Sequence, residues 1–252
     1  MRSRDEVNEV RELIEVGKSD AEIAVLTGIP RRTVWDWRRG RHRILPRSRE
    51  DYACLELHDF SYLSPHHYAY LLGLYLGDGC ISPGHRGVYC LRISLDSAYP
   101  GILEECRFAL EVVMPGKHAR AAARKDCRCV DVSMWSKHWP CLIPQHGPGR
   151  KHKRRIALEP WQRAIVTAEP RHFLRGLIHS DGTRIVATER KGSCVRRAPR
   201  YAFSNKSEDI KRLFCESCDA LGIRWTRPSD RQIAIYRLQS VACLDEFIGP
   251  KR

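Results

Sequence analysis

Val7, Val10, Leu13 and Ile14 fall on one helical stripe, which predicts an amphipathic helix over residues 5–16, ended by Gly17. Ser19 and Glu22 stand at capping-box spacing and open a second helix through Ile23, Ala24 and Leu26. Thr27-Gly28-Ile29 makes a turn, and Pro30 suits the start of a third helix over 31–39, with Val34 and Trp37 facing its small core. From 40 to 65 periodicity is lost and Pro46 breaks any helix. A short, nearly all-apolar helix then precedes strict alternation over 88–95, where Leu91, Ile93 and Leu95 oppose Arg92 and Ser94. An amphipathic helix over 99–113, strands over 118–124 and 128–135 and a short helix after Ser136 complete this stretch.

The same plan then recurs. After a helix around 161–167, a second short apolar helix leads to strands over 183–189 and 200–204, in which Arg200, Ala202 and Ser204 oppose Tyr201 and Phe203. A helix over 207–221, strands over 224–227 and 233–238 and a last helix over 240–248 follow. Ile102, Cys106, Leu110 and Val113 match Ile210, Phe214, Cys218 and Leu221 at one constant offset. Both copies close on Gly-Pro and basic residues, Gly147-Pro148-Gly149-Arg150-Lys151 and Gly249-Pro250-Lys251-Arg252. The pattern divides the chain into residues 1–43, a linker at 44–65, repeat one at 66–150, a basic linker and helix at 151–169, and repeat two at 170–252.

The apolar helices that open the repeats carry the candidate chemistry. They read Leu71-Leu72-Gly73-Leu74-Tyr75-Leu76-Gly77-Asp78-Gly79 and Leu174-Arg175-Gly176-Leu177-Ile178-His179-Ser180-Asp181-Gly182. Gly73 and Gly77 share one helical face, as do Gly176 and Ser180, so two such helices can approach backbone to backbone. Asp78 and Asp181 would then meet at the bottom of the pair, and two carboxylates side by side suit a divalent cation. One Asp-Gly is an ordinary helix-ending turn; two in matching nine-residue contexts are not explained that way.

These segments resemble the LAGLIDADG homing endonucleases, in the form where one chain holds both motifs. The resemblance implies an α+β fold: two pseudo-symmetric αββαββα halves packed through their motif helices, presenting a saddle of two sheets to double-stranded DNA. It also implies phosphodiester hydrolysis with Mg²⁺ or Mn²⁺ held by Asp78 and Asp181, both catalytic and metal-binding. The motifs depart from the pattern at Leu76 and His179, where the family has its first acid, and at Arg175, which replaces a small residue. Basic or amide groups line such a pocket in that family. Lys137 and, at matching spacing, Gln239 are the expected occupants, with Arg184 and Lys206 as further candidates. Arg92, Ser94 and Ser204 on the strands are expected to reach DNA.

The first three helices resemble a helix-turn-helix DNA-binding domain. Arg31, Arg32, Thr33 and Asp36 are placed to read bases, while Arg38, Arg39, Arg41 and Arg43 are placed to touch phosphates. Between the repeats, Arg150-Lys151-His152-Lys153-Arg154-Arg155 reads as a phosphate clamp through Lys151, Lys153, Arg154 and Arg155.

The balance of charge agrees: 44 Lys and Arg against 30 Asp and Glu give +14, which points to a polyanion as partner. Eleven cysteines without an export signal are expected to be reduced, in the cytoplasm. Cys127-x-Cys129 and Cys215-x-x-Cys218 lack the second ligand pair that structural zinc requires, and Cys218 aligns with the core residue Leu110. No apolar run is long enough to span a bilayer. Both motifs in one chain predict a monomer with one composite site and no obligate protein partner. Three functions stay open: a site-specific endonuclease first, then a DNA-binding transcription regulator without cleavage, then an RNA maturase.

Overall fold

A reciprocal cap sets the first boundary in the three-helix unit. The Glu22 carboxylate accepts from the Ser19 amide at 2.8 Å, and the Ser19 hydroxyl accepts from the Glu22 amide at 3.3 Å. In the computed structural model, which describes residues 4–39, 58–125, 127–191, 194–249 and 251, this cap starts α2 (Asp20–Thr27) after α1 (Arg4–Glu15). Gly28 turns the chain at φ 69°, a left-handed conformation that glycine adopts without penalty, into α3 (Arg31–Arg38). Val7, Val10, Ile23, Ile29, Val34 and Trp37 form its core, the stripe that periodicity predicts. The chain divides into two compact units, residues 1–53 and 54–252. Arg41, Arg43, Arg47 and Arg49 lie outside the described residues.

The larger unit is a duplicated α+β architecture. Its first half runs α4 (Pro65–Asp78), β1 (Gly79–Pro83), β2 (Tyr89–Asp96), α5 (Pro100–Val113), β3 (Arg120–Ala123), β4 (Cys129–Ser136) and α6 (Trp139–Leu142). After α7 (Pro160–Ala168), the second half runs α8 (Pro170–Asp181), β5 (Gly182–Lys191), β6 (Cys194–Ser204), α9 (Glu208–Ala220), β7 (Thr226–Ser229), β8 (Gln232–Ile235) and α10 (Leu238–Ile248). Both sheets are antiparallel, ordered β1-β2-β4-β3 and β5-β6-β8-β7. These are the two αββαββα halves that the motifs imply.

Sequence periodicity misses β1, because Ile81 is its one buried apolar side chain among Gly79, Cys80, Ser82 and Pro83. It also truncates the β5–β6 hairpin, whose outer part is charged and carries no alternation. Leu91, Ile93 and Leu95 of β2 are buried against the helices, and so are Tyr201 and Phe203 of β6. The matched set Ile102, Cys106, Leu110, Val113, Ile210, Phe214 and Cys218 is buried as well, so Cys218 is a core residue. No helix among the described residues is long and apolar enough to cross a membrane.

Candidate active site

Along α4 every residue from Tyr68 to Leu76 is buried, which requires a partner on all sides. One side is α8, and the contact is backbone on backbone. A Cβ on Gly73 would stand 2.5 Å from the Phe173 carbonyl oxygen and 2.8 Å from the Leu177 nitrogen. A Cβ on Gly176 would strike the Tyr70 carbonyl, and one on Gly77 would strike the Ser180 side chain. Gly73, Gly77, Gly176 and Ser180 thus line the seam in which the motif spacing places them. The Ser180 hydroxyl folds back onto the Gly176 carbonyl at 3.0 Å, which satisfies it within its own helix.

The seam brings the two acids to one end of the paired helices. A Cβ on Gly77 would stand 3.4 Å from the Asp181 carboxyl carbon, one residue from Asp78. Asp78 keeps contact with solvent but is walled by protein, and this loss of hydration together with the charge of Asp181 raises its pKa to about 6. Asp181 is half-buried and also raised by desolvation, against a 2.6 Å hydrogen bond that the Asn205 amide donates to it. The acids open on different cavities. Asp181 lines one of about 600 Å³ with β1, Lys151, Ser204, Asn205 and Lys206; Asp78 lines one of about 180 Å³ with Tyr99, His179, Ser180 and Lys251.

Two lysines complete the arrangement. Lys151 donates to the carbonyls of Tyr75, Gly77 and Gly79 at 2.5, 2.6 and 3.0 Å, so all three protons of its ammonium serve the end of α4. Lys251 does the same at the end of α8, donating to Gly182 at 2.5 Å and His179 at 3.3 Å. Helix C-termini leave their last carbonyls without partners and carry partial negative charge, so an ammonium there is doubly favoured. Desolvation lowers the Lys151 pKa to about 8 against the pull of Asp181 and Asp78, and lowers Lys251 against the same pair.

This pair replaces the expected occupants. Lys137 is exposed just after β4, Gln239 is exposed in the first turn of α10, and neither lines a cavity with the acids. The signal for the lysines was the repeated Gly-Pro ending: Lys151 and Lys251 are basic residues that follow Gly-Pro in its two copies. Spacing placed the first of them in a phosphate clamp and assigned no role to the second. The rest of the basic run divides. Arg154 turns onto the carbonyls of Gln145 (3.2 Å) and Gly149 (2.8 Å), which fixes the loop bearing Lys151, while Lys153 and Arg155 stay exposed.

Arg175 and His179 explain the motif's departures. Arg175 forms a bidentate pair with Glu105 of α5 at 2.6 and 2.7 Å and donates to the carbonyls of Phe247 and Ile248. His179 is buried, and desolvation lowers its pKa to about 4, so it is neutral at pH 7. Its Nε2 lies 3.2 Å from the Ile248 carbonyl, which requires a donor there, and Nδ1 then accepts from the Tyr70 hydroxyl at 2.9 Å. Both residues brace α8 against α10, and His179 also lines the Asp78 cavity.

The remaining predicted contacts separate by sheet face. Arg92 and Ser94 lie on the open face of the first sheet but are tied to Asp131, at 3.7 and 2.6 Å. Ser204 and Lys206 are exposed beside the Asp181 cavity. Arg184 sits opposite Tyr201, on the helix side of its sheet, and pairs with Asp245 of α10 through two 2.7 Å bonds. It is therefore held on the helix side by α10 and lines neither cavity of the acids. In the three-helix unit Arg31 and Arg32 are exposed, Thr33 and Asp36 half-buried, and Arg32 and Arg39 both lie over the Trp35 ring, at 4.3 and 3.8 Å. Arg38 is held by Asp20 and the Lys18 carbonyl, each at 2.7 Å, so it serves the packing of α3 on α2.

No family model matches this chain, and no curated protein matches its sequence. Among solved structures it is similar to mesophilic variants of the homing endonuclease I-DmoI, at 14% identity over 74% of this chain and 97% of that one, with a TM-score of 0.47. It is similar to the LAGLIDADG meganuclease I-AabMI bound to uncleaved DNA, at 12% identity over 71% and 82%, TM-score 0.47. It is also similar to the N-terminal LAGLIDADG domain of WhiA, at 16% identity over 77% and 86%, TM-score 0.44. These three neighbours are a homing endonuclease, a LAGLIDADG meganuclease and the LAGLIDADG domain of WhiA.

Proposed function

We propose that the chain is a site-specific double-stranded DNA endonuclease whose centre is formed by Asp78, Asp181, Lys151 and Lys251. The observation that carries this reading is geometric: the backbone-on-backbone seam brings Asp78 and Asp181 to one end of the paired motif helices, where Lys151 and Lys251 close those helices. Desolvation holds both carboxylates above their ordinary range despite the ammoniums, and a divalent cation would favour their ionised forms. The donor set fits: carboxylate oxygens are hard ligands, and Mg²⁺ takes few of them while keeping its waters. Asp78 and Asp181 would hold the ion, which when bound supplies activation of water and neutralisation of the scissile phosphate.

The chain's own groups supply the rest. Lys151 and Lys251 fix the ends of the motif helices and place positive charge beside the reacting phosphate. With its pKa near 8, Lys151 is charged at neutral pH, and its ammonium, fully engaged by the three carbonyls, acts through fixed positive charge. Asn205 orients the Asp181 carboxylate. Arg31, Arg32 and Thr33 of α3 read as the base-contacting end of a helix-turn-helix module, with Arg39 on phosphate.

A regulator without cleavage is the second reading, and one observation favours it: the lysines already offset the acids' charge without an ion. Selection of a duplex from a randomised pool, followed by incubation with Mg²⁺, separates the two. The endonuclease cuts both strands, while Asp78→Asn and Asp181→Asn bind the same duplex uncut. Tight binding without cutting in Mg²⁺ or Mn²⁺ establishes the regulator.

A further inference from the structure

A second group of metal-binding donors sits at the corner after β4. His58, His138 and Cys141 are all half-buried, and each offers one donor atom within 4.8 Å of the others. His138 caps the one-turn helix α6 and Cys141 follows it by three residues, so both side chains project from the same turn. That turn is firmly seated. Trp139 is fully buried with its indole N–H donated to the Met134 carbonyl at 2.8 Å, Leu142 is buried, and the His138 amide is held by the Ser136 hydroxyl at 3.2 Å. His58 arrives from the opposite side, edge-on to His138 with ring centroids 4.9 Å apart and stacked on Phe60, itself stacked on Trp161 at 4.2 Å.

This cluster is separate from the acid site. The Leu142 carbonyl of α6 accepts from Tyr68 at 2.6 Å, and Tyr68 precedes Asp78 by ten residues, about 15 Å of helix rise. The donor types also differ. Two imidazoles and a thiolate suit a borderline ion and not Mg²⁺.

We propose that His58, His138 and Cys141 form a zinc site that fastens the segment entering the larger unit onto α6. With Zn–N near 2.0 Å and Zn–S near 2.3 Å, tetrahedral ligand atoms stand about 3.3–3.6 Å apart. The donors close by about 1 Å to meet this, within reach of small side-chain rotations. Water would complete the four ligands. Sequence adds that Cys54 stands four residues before His58; it lies outside the described residues, and the site rests on the three that are described. Searches for paired cysteines miss such a site, because its ligands come from two segments about eighty residues apart.

The test uses the full chain freed of metal by chelation and titrated with Co²⁺, then Zn²⁺, in parallel with Cys141→Ser, His138→Asn and His58→Asn. Wild type is expected to develop thiolate-to-cobalt charge-transfer absorption and the visible bands of a tetrahedral site, reversed by zinc. It should bind one zinc per chain more than Cys141→Ser, whose remaining cysteines report background. Each variant should lose roughly 100-fold or more in zinc affinity while keeping its far-ultraviolet circular dichroism. Equal stoichiometry and affinity in wild type and variants overturns the proposal. Should a variant fail to fold, the wild type alone decides: a melting temperature that does not rise with zinc also overturns it.

Discussion

Asp131 in the first half and Asp245 in the second do the same electrostatic work on opposite faces of equivalent sheets. Asp131 stands on the open face, where it accepts from Ser94 at 2.6 Å and Arg124 at 2.9 Å and pairs with Arg92 at 3.7 Å. Asp245 reaches up from α10 on the helix side and takes Arg184 together with the Tyr201 hydroxyl, the latter at 2.6 Å. The first sheet therefore offers neutralised arginines on its open face. The second draws Arg184 underneath, while its open face carries Arg200 beside the small residues Ala202 and Ala234, which stand in register. Apolar periodicity repeats faithfully between halves because both must bury a helix. Charge is free to diverge, since many placements satisfy the same backbone.

The seam between the halves is where asymmetry should show most. A Cβ at Gly176 meets backbone, the Tyr70 carbonyl and the Leu74 nitrogen, which cannot move without shifting α4. A Cβ at Gly77 meets side chains, Ser180 closely and the Asp181 carboxyl carbon at 3.4 Å. Gly176→Ala is expected to cost about 3 kcal/mol or more and lower the melting temperature by roughly 10 °C. Gly77→Ala should cost about half as much and be largely restored by Ser180→Gly. Thermal melts of the three variants check this; a harmless Gly176→Ala would mean that the helices do not approach so closely.

The lysines break the symmetry next. Lys151 serves three carbonyls and Lys251 two, and each closes the helix of its own half. If the chain cleaves DNA as proposed, Lys151→Met and Lys251→Met should each slow one strand by about 10²–10³, the range for losing one preorganised donor. Nicked duplex would accumulate, with opposite strands intact in the two variants. Equal slowing of both strands in each variant would dissolve the assignment of one lysine per strand.

Much of this was legible in the sequence, and the limits are physical. The helices, the duplication and the four-residue spacing of Gly73, Gly77, Gly176 and Ser180 follow from patterns that repeat within one element. Strand β1 was hidden because five residues with one buried apolar side chain give no period. Lys151 was read into a phosphate clamp and Lys251 given no role because spacing does not name a partner, and only the folded chain returns each to the end of its motif helix. Arg184 was misplaced by the same limit: spacing names a basic residue near the motif but not its partner, and Asp245 of α10 takes it on the helix side.

The two sheet acids give a smaller, sharper contrast. Asp131→Asn should free Arg92 and Arg124 on the open face, raising DNA affinity and steepening the salt dependence of log K by up to about 2. Asp245→Asn should cost about 1 kcal/mol of stability, its pair with Arg184 being over a third exposed, and leave that slope unchanged. Binding titrations at several salt concentrations decide. An equal change of slope in both variants would place Arg184 at the DNA after all.

The smallest expected effect concerns pH, where Asp245 and Asp78 should act with opposite sign. Hydrogen bonds from Arg184, with a lesser one from Tyr201, hold Asp245 below the ordinary carboxylate range. Its contribution is complete above the unfolded value of 3.8 and is lost as pH falls through the lower folded value. Asp78 is raised to about 6, so between 3.8 and about 6 the folded state binds more protons than the unfolded one. Stability then declines as pH rises through that window, by an amount that solvent contact at the cavity mouth keeps modest. A cation that binds only the ionised pair should offset this decline above about pH 6 and do nothing below pH 4. Melting temperatures across pH with and without Mg²⁺ measure it. Asp78→Asn should flatten the window and remove most of the Mg²⁺ response, leaving the acid limb that belongs to Asp245. If Mg²⁺ raises the melting temperature equally at pH 4 and pH 7, the ion is not acting through these carboxylates.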